Sequence, residues 1–282
     1  METKKVWLVT GASKGLGLVL INKLLASGYS VAATSRNIEV LQEAVIVNTA
    51  TKGNFLPLEV DLVDEKSVEN AIQKTHETFG RLDVIVNNAG YGIGGTLEEL
   101  TQEEILQSFN INVFGTVNVI QKAMPYLRAQ RSGYFINISS IAGFAPAIGW
   151  SIYSAAKHAI VGLSEVLAED VKSLGIKVTV VAPGAFRTQF LSEDSLVMSK
   201  NKIDDYKEVQ ESHARYKAMN GTQLGDPEKA AEVFINLAED ENPPVRLYLG
   251  SDSYKRASNK METLASDMEK WKNVSFSTDF TN

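Results

Sequence analysis

Tyr153 and Lys157 stand four residues apart on a predicted helix, so their side chains share one face. A phenol with an ordinary pKa of about 10 holds its proton too tightly for efficient transfer at neutral pH. An ammonium beside it favours the phenolate, and the pair then reads as a general acid/base with its own tuner. The same spacing arises by chance on any amphipathic helix, where it is only a surface pair. Ser140 changes that reading. It lies thirteen residues earlier (153 − 140 = 13), just past a predicted strand, where its hydroxyl and the phenol can converge on one substrate oxygen. Ser139 is the competing serine, or else a structural strand-end residue. His158 follows Lys157, but one step round a helix is about 100°, so it is expected to pack or to face solvent.

A second constellation is Thr10-Gly11-Ala12-Ser13-Lys14-Gly15-Leu16-Gly17, between a predicted strand and helix. Glycines there permit a tight turn and a close approach of backbone to a pyrophosphate. The helix N-terminus adds free N–H groups and a favourable dipole. The G-x-x-x-G-x-G spacing departs from the commonest dinucleotide fingerprint, and a capping turn without ligand is the competing reading. Strand two ends Ala33-Thr34-Ser35-Arg36, with no acid to accept from a ribose and repel a 2′-phosphate. Ser35 can donate to a phosphate, Arg36 can pair with it in bidentate fashion, and Lys14 is placed to reach it. The expected cofactor is NADPH rather than NADH. The competing ribose acid is Glu39, which fits better as an exposed first-turn residue of the next helix.

The elements that must position these groups alternate. Strands are predicted at Val6–Thr10, Ser30–Ser35, Phe55–Val60, Val84–Asn87, Gly133–Ser139, Lys177–Ala182 and Arg246–Leu249. Helix-period segments lie between them, such as Leu16, Leu20 and Leu24, or Val68, Ile72 and Phe79. Repeated strand–helix–strand order predicts right-handed βαβ units and a parallel α/β sheet. The strands are nearly continuous apolar runs, as a sheet covered on both faces requires. The chain reads as one domain over 1–282. Two features stand out: a polar excursion over the site at about 187–225, helical in part, and a helical tail at about 251–282. Met261, Leu264, Met268 and Trp271 recur at helical spacing in that tail, which predicts an amphipathic helix packed on the body.

Composition excludes several classes. The 282 residues are 44% hydrophobic and 22% charged, enough to bury a core without staples. With no cysteine there is no disulfide framework, thiolate metal site or cysteine nucleophile. The three histidines are too scattered for a metal site, and none is expected. A net charge of −6 without a basic block argues against nucleic acid. No long apolar run predicts a membrane span, and Met1–Lys5 lacks signal-peptide features. The expected location is cytoplasmic.

Five motifs in fixed order resemble the short-chain dehydrogenase/reductase family. They are Thr10-Gly-x-x-x-Gly-x-Gly17, Asn87-Asn88-Ala89-Gly90, Asn112, Ser140 with Tyr153-x-x-x-Lys157, and Pro183-Gly184. They span residues 10–188; beyond Thr188 no family motif is found. The resemblance implies a Rossmann-type doubly wound fold, its seven-stranded parallel sheet flanked by helices on both faces. It favours Ser140 over Ser139. It gives Asn112, an amide mildly unfavourable in mid-helix, a water that connects to Lys157; Asn110 is the alternative. The cofactor-binding set it implies is Gly11, Ser13, Lys14, Gly15, Leu16, Gly17, Ser35, Arg36, Asp61, Leu62, Asn88, Ala89, Gly90, Tyr153, Lys157, Pro183, Gly184, Phe186 and Thr188. Asp61 would bind the adenine amino group or simply cap a helix. Asn88-Ala89-Gly90 would let backbone approach the adenosine ribose. Pro183–Thr188 would contact the nicotinamide carboxamide.

The implied reaction is reversible hydride transfer between NADPH and a ketone or aldehyde. Ser140 holds the carbonyl oxygen, Tyr153 protonates it, and Lys157 tunes the phenol and holds the nicotinamide ribose. Pocket walls are expected from Tyr91–Gly95, Ile141–Trp150 and Phe186–Asn220, with Phe144, Ile148, Trp150, Phe186, Phe190 and Leu191 facing a hydrophobic small-molecule substrate. A homodimer or homotetramer is implied, with the long fourth and fifth helices at its interface. Two other functions compete. A same-fold epimerase or dehydratase would not consume NADPH. A non-catalytic NADP-binding sensor would not turn over at all.

Overall fold

The computed structural model describes residues 4–49, 51–192 and 195–280. Met1–Thr3 of the expected start, Glu193 and Asp194 of the excursion, and Thr281 and Asn282 of the tail lie outside the described residues.

The elements run β1 (Val6–Val9), α1 (Gly15–Ala26), β2 (Ser30–Ser35), α2 (Ile38–Ala44), β3 (Phe55–Glu59), α3 (Glu65–Phe79), β4 (Val84–Asn87) and β5 (Gly92–Gly94). Then come α4 (Gln102–Phe109), a π-helical turn (Asn110–Phe114), α5 (Gly115–Gln130), β6 (Gly133–Ile138) and α6 (Ser151–Val171). The chain continues through β7 (Ile176–Pro183), β8 (Leu196–Met198), α7 (Lys207–Ala218), α8 (Pro227–Glu239), β9 (Arg246–Leu249) and α9 (Ser251–Phe276). All seven expected strands are present, within one residue at every boundary.

They form one parallel sheet in the order β3-β2-β1-β4-β6-β7-β9. Successive side chains of a strand point to opposite faces, and here both faces are buried. Trp7, Val9, Val31 and Val86 pack on one face with α1 and α8 residues such as Leu20 and Phe234. Leu8, Ala32, Ile85 and Phe135 pack on the other with Ile72, Val119 and Ala168. The seven-stranded, doubly wound Rossmann-type architecture is therefore as expected. The strand order reverses direction beside β1, between it and β4. There the carboxyl ends open a crevice, the usual ligand position in such sheets.

Three local features position the site. First, Asn87 Nδ2 donates to Asn137 Oδ1 at 2.8 Å, and Asn137 Nδ2 donates to Ser164 Oγ at 2.9 Å. This buried chain ties α6 to the centre of the sheet. Second, β5 and β8 pair as a separate two-stranded parallel sheet. Third, the excursion is pinched at its base, where Arg187 N donates to Gly225 O (2.8 Å) and Gly225 N to Ala185 O (2.9 Å). Between these bonds lie β8 and α7.

The tail departs from expectation. Its helix forms, but only the first two turns dock, through the buried Ser253 and Ala257. Met261 (49% exposed), Leu264 (39%), Met268 (76%) and Trp271 (57%) extend into solvent. The docked face and the apolar stripe are continuous along the helix, but the body ends before the stripe does.

Candidate active site

The carboxyl ends of the strands line one cleft of about 1800 Å³. The glycine turn forms one wall. Gly11 and Gly17 are small because of protein packing. A Cβ on Gly11 would lie 2.7 Å from Ala89 Cα, and one on Gly17 would lie 2.6 Å from Asn88 Nδ2. Asn88 Nδ2 braces the turn by donating to Thr10 O and Gly11 O, both at 3.0 Å. Gly11 (φ 63°) and Gly15 (φ 61°) both sit in the left-handed region, but a Cβ on Gly15 would meet only Thr188 Cβ at 3.8 Å. Of the three glycines, Gly15 is the one that leaves open space facing the cleft, while the other two fit the turn against the end of β4.

Ser13, Lys14, Gly15, Leu16, Ser35, Arg36, Asp61 and Leu62 line the same end of the cleft, and Glu39 does not. Glu39 lies in the first turn of α2, whose N-terminus is capped by Asn37. Asp61 Oδ1 accepts from Val63 N at 3.0 Å, whereas Asp64 caps α3. Asp61 is thus not the helix cap. A dinucleotide fits this end: an open glycine, a hydroxyl and two cations, with no carboxylate at the end of β2.

Deeper in the cleft, Ser140 and Tyr153 line it together, and Ser140 Oγ accepts from Ala142 N at 3.1 Å. Ser139 turns away, donating to Lys157 O at 2.8 Å, so it fastens the strand end to α6. Lys157 is 4% exposed, and its Nζ donates to Ile138 O at 3.0 Å. Burial pushes the Tyr153 phenol up to about 12, opposed by the Ser140 hydroxyl. Burial likewise pushes the Lys157 ammonium down to about 8. The lysine therefore does not yet tune the phenol as the spacing alone predicted. Its Nζ lies 5.9 Å from the Tyr153 ring centroid and is turned to a backbone carbonyl. His158 is exposed, with Nδ1 bonded to Ser154 O.

Asn112 sits in the π-helical turn, a geometry frequent at functional sites. Its Oδ1 accepts from Tyr91 N and its Nδ2 donates to Tyr91 O, both at 3.1 Å. A Cβ on Gly90 would lie 2.6 Å from Asn112 Oδ1 and 3.4 Å from Lys157 Nζ. The missing side chain lets the asparagine and the lysine both approach Gly90. Asn110 lines the cleft.

On the third side, Ala89, Gly90, Pro183, Gly184, Phe186 and Thr188 line the cleft. Thr188 Oγ1 accepts from Phe190 N at 3.2 Å. The apolar wall includes Ile93, Trp150, Phe190 and Leu191, with the Phe190 ring centroid 6.1 Å from that of Tyr153. Phe144 and Ile148 were expected there and are elsewhere. Phe144 packs on Tyr248 (5.4 Å) beneath α9, and Ile148 points to solvent. The 3-10 turn Ile141–Gly143 after Ser140 redirects the chain. Leu196, Tyr216 and Met219, inside the expected Phe186–Asn220 wall but not singled out there, also line the cleft. Tyr216 stacks edge-on against Trp150 at 5.1 Å. The excursion is anchored by the buried Glu99, one of several acids in its stretch that the sequence does not set apart. Burial alone would raise its carboxyl, but bonds from Thr96 and Ile203 N–H groups hold it below the usual range.

Residues 5–196 match the family model described as short chain dehydrogenase. The chain belongs to the short-chain dehydrogenase family. Oxidoreductase BOA17 of Botryotinia fuckeliana is 34% identical over 275 residues, 97% of this chain and 99% of its own. The crystal structure of a short-chain dehydrogenase from Streptomyces avermitilis aligns with a TM-score of 0.88 at 35% identity, covering 98% of this chain and 100% of that one. ElxO, solved with NADP bound, aligns with a TM-score of 0.73 at 28% identity, covering 89% and 99%. The family match includes all the motif residues and ends at 196, so α7, α8, β9 and α9 lie outside it. No helix among the described residues is long and apolar enough to cross a membrane, and no cluster of metal-ligating side chains occurs among them.

Proposed function

We propose that the chain reduces a ketone or aldehyde to an alcohol with NADPH, reversibly. The observation that carries this reading is that Ser140, Tyr153 and the buried Lys157 line one cleft together with the open glycine turn. Bound reduced nicotinamide would supply the hydride. Ser140 would hold the substrate oxygen, and Tyr153 would deliver a proton to it from its Oη. A phenol held protonated by burial is suited to the acid role in the reducing direction. Lys157, once drawn from Ile138 O towards the cleft, would stabilise the phenolate left behind. Asn112 would join Lys157 to a proton-replacing water.

The phosphate preference rests on Lys14, Ser35 and Arg36 lining the cleft, with no carboxylate at the end of β2, and the NADP bound by ElxO supports it. The apolar wall of Ile93, Trp150, Phe190 and Leu191 suits a hydrophobic carbonyl compound. The same reading includes a cytoplasmic homo-oligomer joined through α5 and α6.

The test is loss of reduced-nicotinamide absorbance with NADPH and NADH across aryl ketones, keto esters, diketones and aldehydes. NADPH-selective turnover is expected. Tyr153→Phe should lower it by about 100-fold or more, and Arg36→Ala should raise the NADPH KM towards that for NADH. Tight NADPH binding without turnover on any carbonyl would instead favour a sensor.

A further inference from the structure

The first two turns of α9 are fastened to the active-site loops. Asp252 Oδ2 accepts from Ala185 N at 2.8 Å. Ser253 Oγ, fully buried, donates to Ala182 O at 2.7 Å. Arg256 Nη2 donates to Ala145 O, in the loop that follows Ser140. The fit at Asp252 is close: a Cβ on Gly184 would lie 2.1 Å from Asp252 Oδ1 and 2.4 Å from Cγ. Gly184 is thus a glycine because a carboxylate lies directly against its Cα. Its own N–H is taken by Leu249 O at 2.8 Å, so β9 and α9 together hold both sides of this segment. Asp252 also lines the cleft that Tyr153 lines. None of these α9 residues falls within the matched family region, which ends at 196.

We infer that Asp252 is a positioning residue for the nicotinamide half of the cofactor. It sets the backbone of Pro183–Thr188 from behind by holding Ala185 N and filling the space over Gly184. The inference rests on the proposed reading of Pro183–Thr188 as the segment that contacts nicotinamide. A carboxylate suits the task because its bond to a backbone N–H is charge-assisted and short. Asparagine has the same shape and an acceptor oxygen, so it can replace the carboxylate here. Alanine cannot.

The experiment compares binding of NADPH and of 2′-phospho-ADP-ribose, which has the same adenosine end but no nicotinamide. Calorimetry on wild type, Asp252→Ala and Asp252→Asn would be paired with kcat and KM for NADPH. Asp252→Ala should weaken NADPH about tenfold, the scale of one lost hydrogen bond to a charged group. It should leave 2′-phospho-ADP-ribose within about twofold, and Asp252→Asn should restore NADPH binding. Where Asp252→Ala does not fold, Asp252→Ser replaces it, being too short to reach Ala185. Equal weakening of both probes would show a general structural role and overturn the inference, as would no weakening of either. Failure to rescue with asparagine would overturn it too. If the wild type binds NADPH no more tightly than the fragment, the placement of nicotinamide itself falls. Carbonyl turnover that survives in Asp252→Ala with unchanged NADPH KM removes only the role of Asp252.

Discussion

Lys157 holds an ammonium at 4% exposure, hydrogen-bonded to the backbone carbonyl of Ile138, and burial lowers its pKa from 10.5 to about 8. Such a group destabilises the fold while it serves chemistry. Between pH 8 and 10.5 the unfolded chain binds more protons than the native one, so this group makes stability rise with pH across that window. Below pH 8 both states are protonated and the full penalty is present. Lys157→Met should therefore stabilise the cofactor-free chain at pH 7 by on the order of 3 kcal/mol, with turnover lost. Denaturant unfolding at pH 7 and at pH 10.5 checks this: the gain should shrink at the higher pH. Wild-type reduction should likewise slow above about pH 8, as the ammonium that stabilises the phenolate is lost. The Tyr153–Lys157 pair was legible because helical periodicity puts residues four apart on one face. The direction of the lysine, towards Ile138 O, was not, because it depends on a strand distant in sequence.

The seven strands of the large sheet were legible as apolar runs, since a sheet covered on both faces leaves no polar alternation to confuse them. β5 and β8 were not. Gly92–Gly94 reads as loop, Leu196–Met198 is only three residues, and their pairing joins segments about a hundred residues apart. The π-helical turn left only an asparagine out of place in a helix. In the glycine turn the sequence shows three glycines, but only the packing separates their roles. Gly17→Ala would drive a methyl within 2.6 Å of Asn88 Nδ2 and 2.7 Å of Gly11 O. Gly15→Ala has room, and its cost is the left-handed backbone, about 1–2 kcal/mol. Thermal denaturation of the two variants should show the larger fall in Tm for Gly17→Ala. Cofactor titration should show weaker binding in both.

At the scale of the whole molecule, the site draws on residues from Gly11 to Arg256, nearly the whole described length. The βαβ pattern announces the sheet and its crevice; it says nothing of the excursion or of what α9 does. The amphipathic stripe of the tail was plain in the sequence, yet where the body ends is a property of the folded surface, and Met268 and Trp271 lie beyond it. That arrangement has a consequence for heat resistance. A helix with only two docked turns and a solvated remainder belongs to the low-stability end of local unfolding, and those two turns fasten the loops beside Ser140 and Gly184. Warming should release them before the sheet melts, so catalytic half-life should fail at temperatures where far-ultraviolet circular dichroism still reports most of the native structure. Saturating NADPH should narrow that gap, because ligand bound to the fastened state favours it by mass action. Durability in use would then be governed by two helical turns at the edge of the molecule rather than by its core.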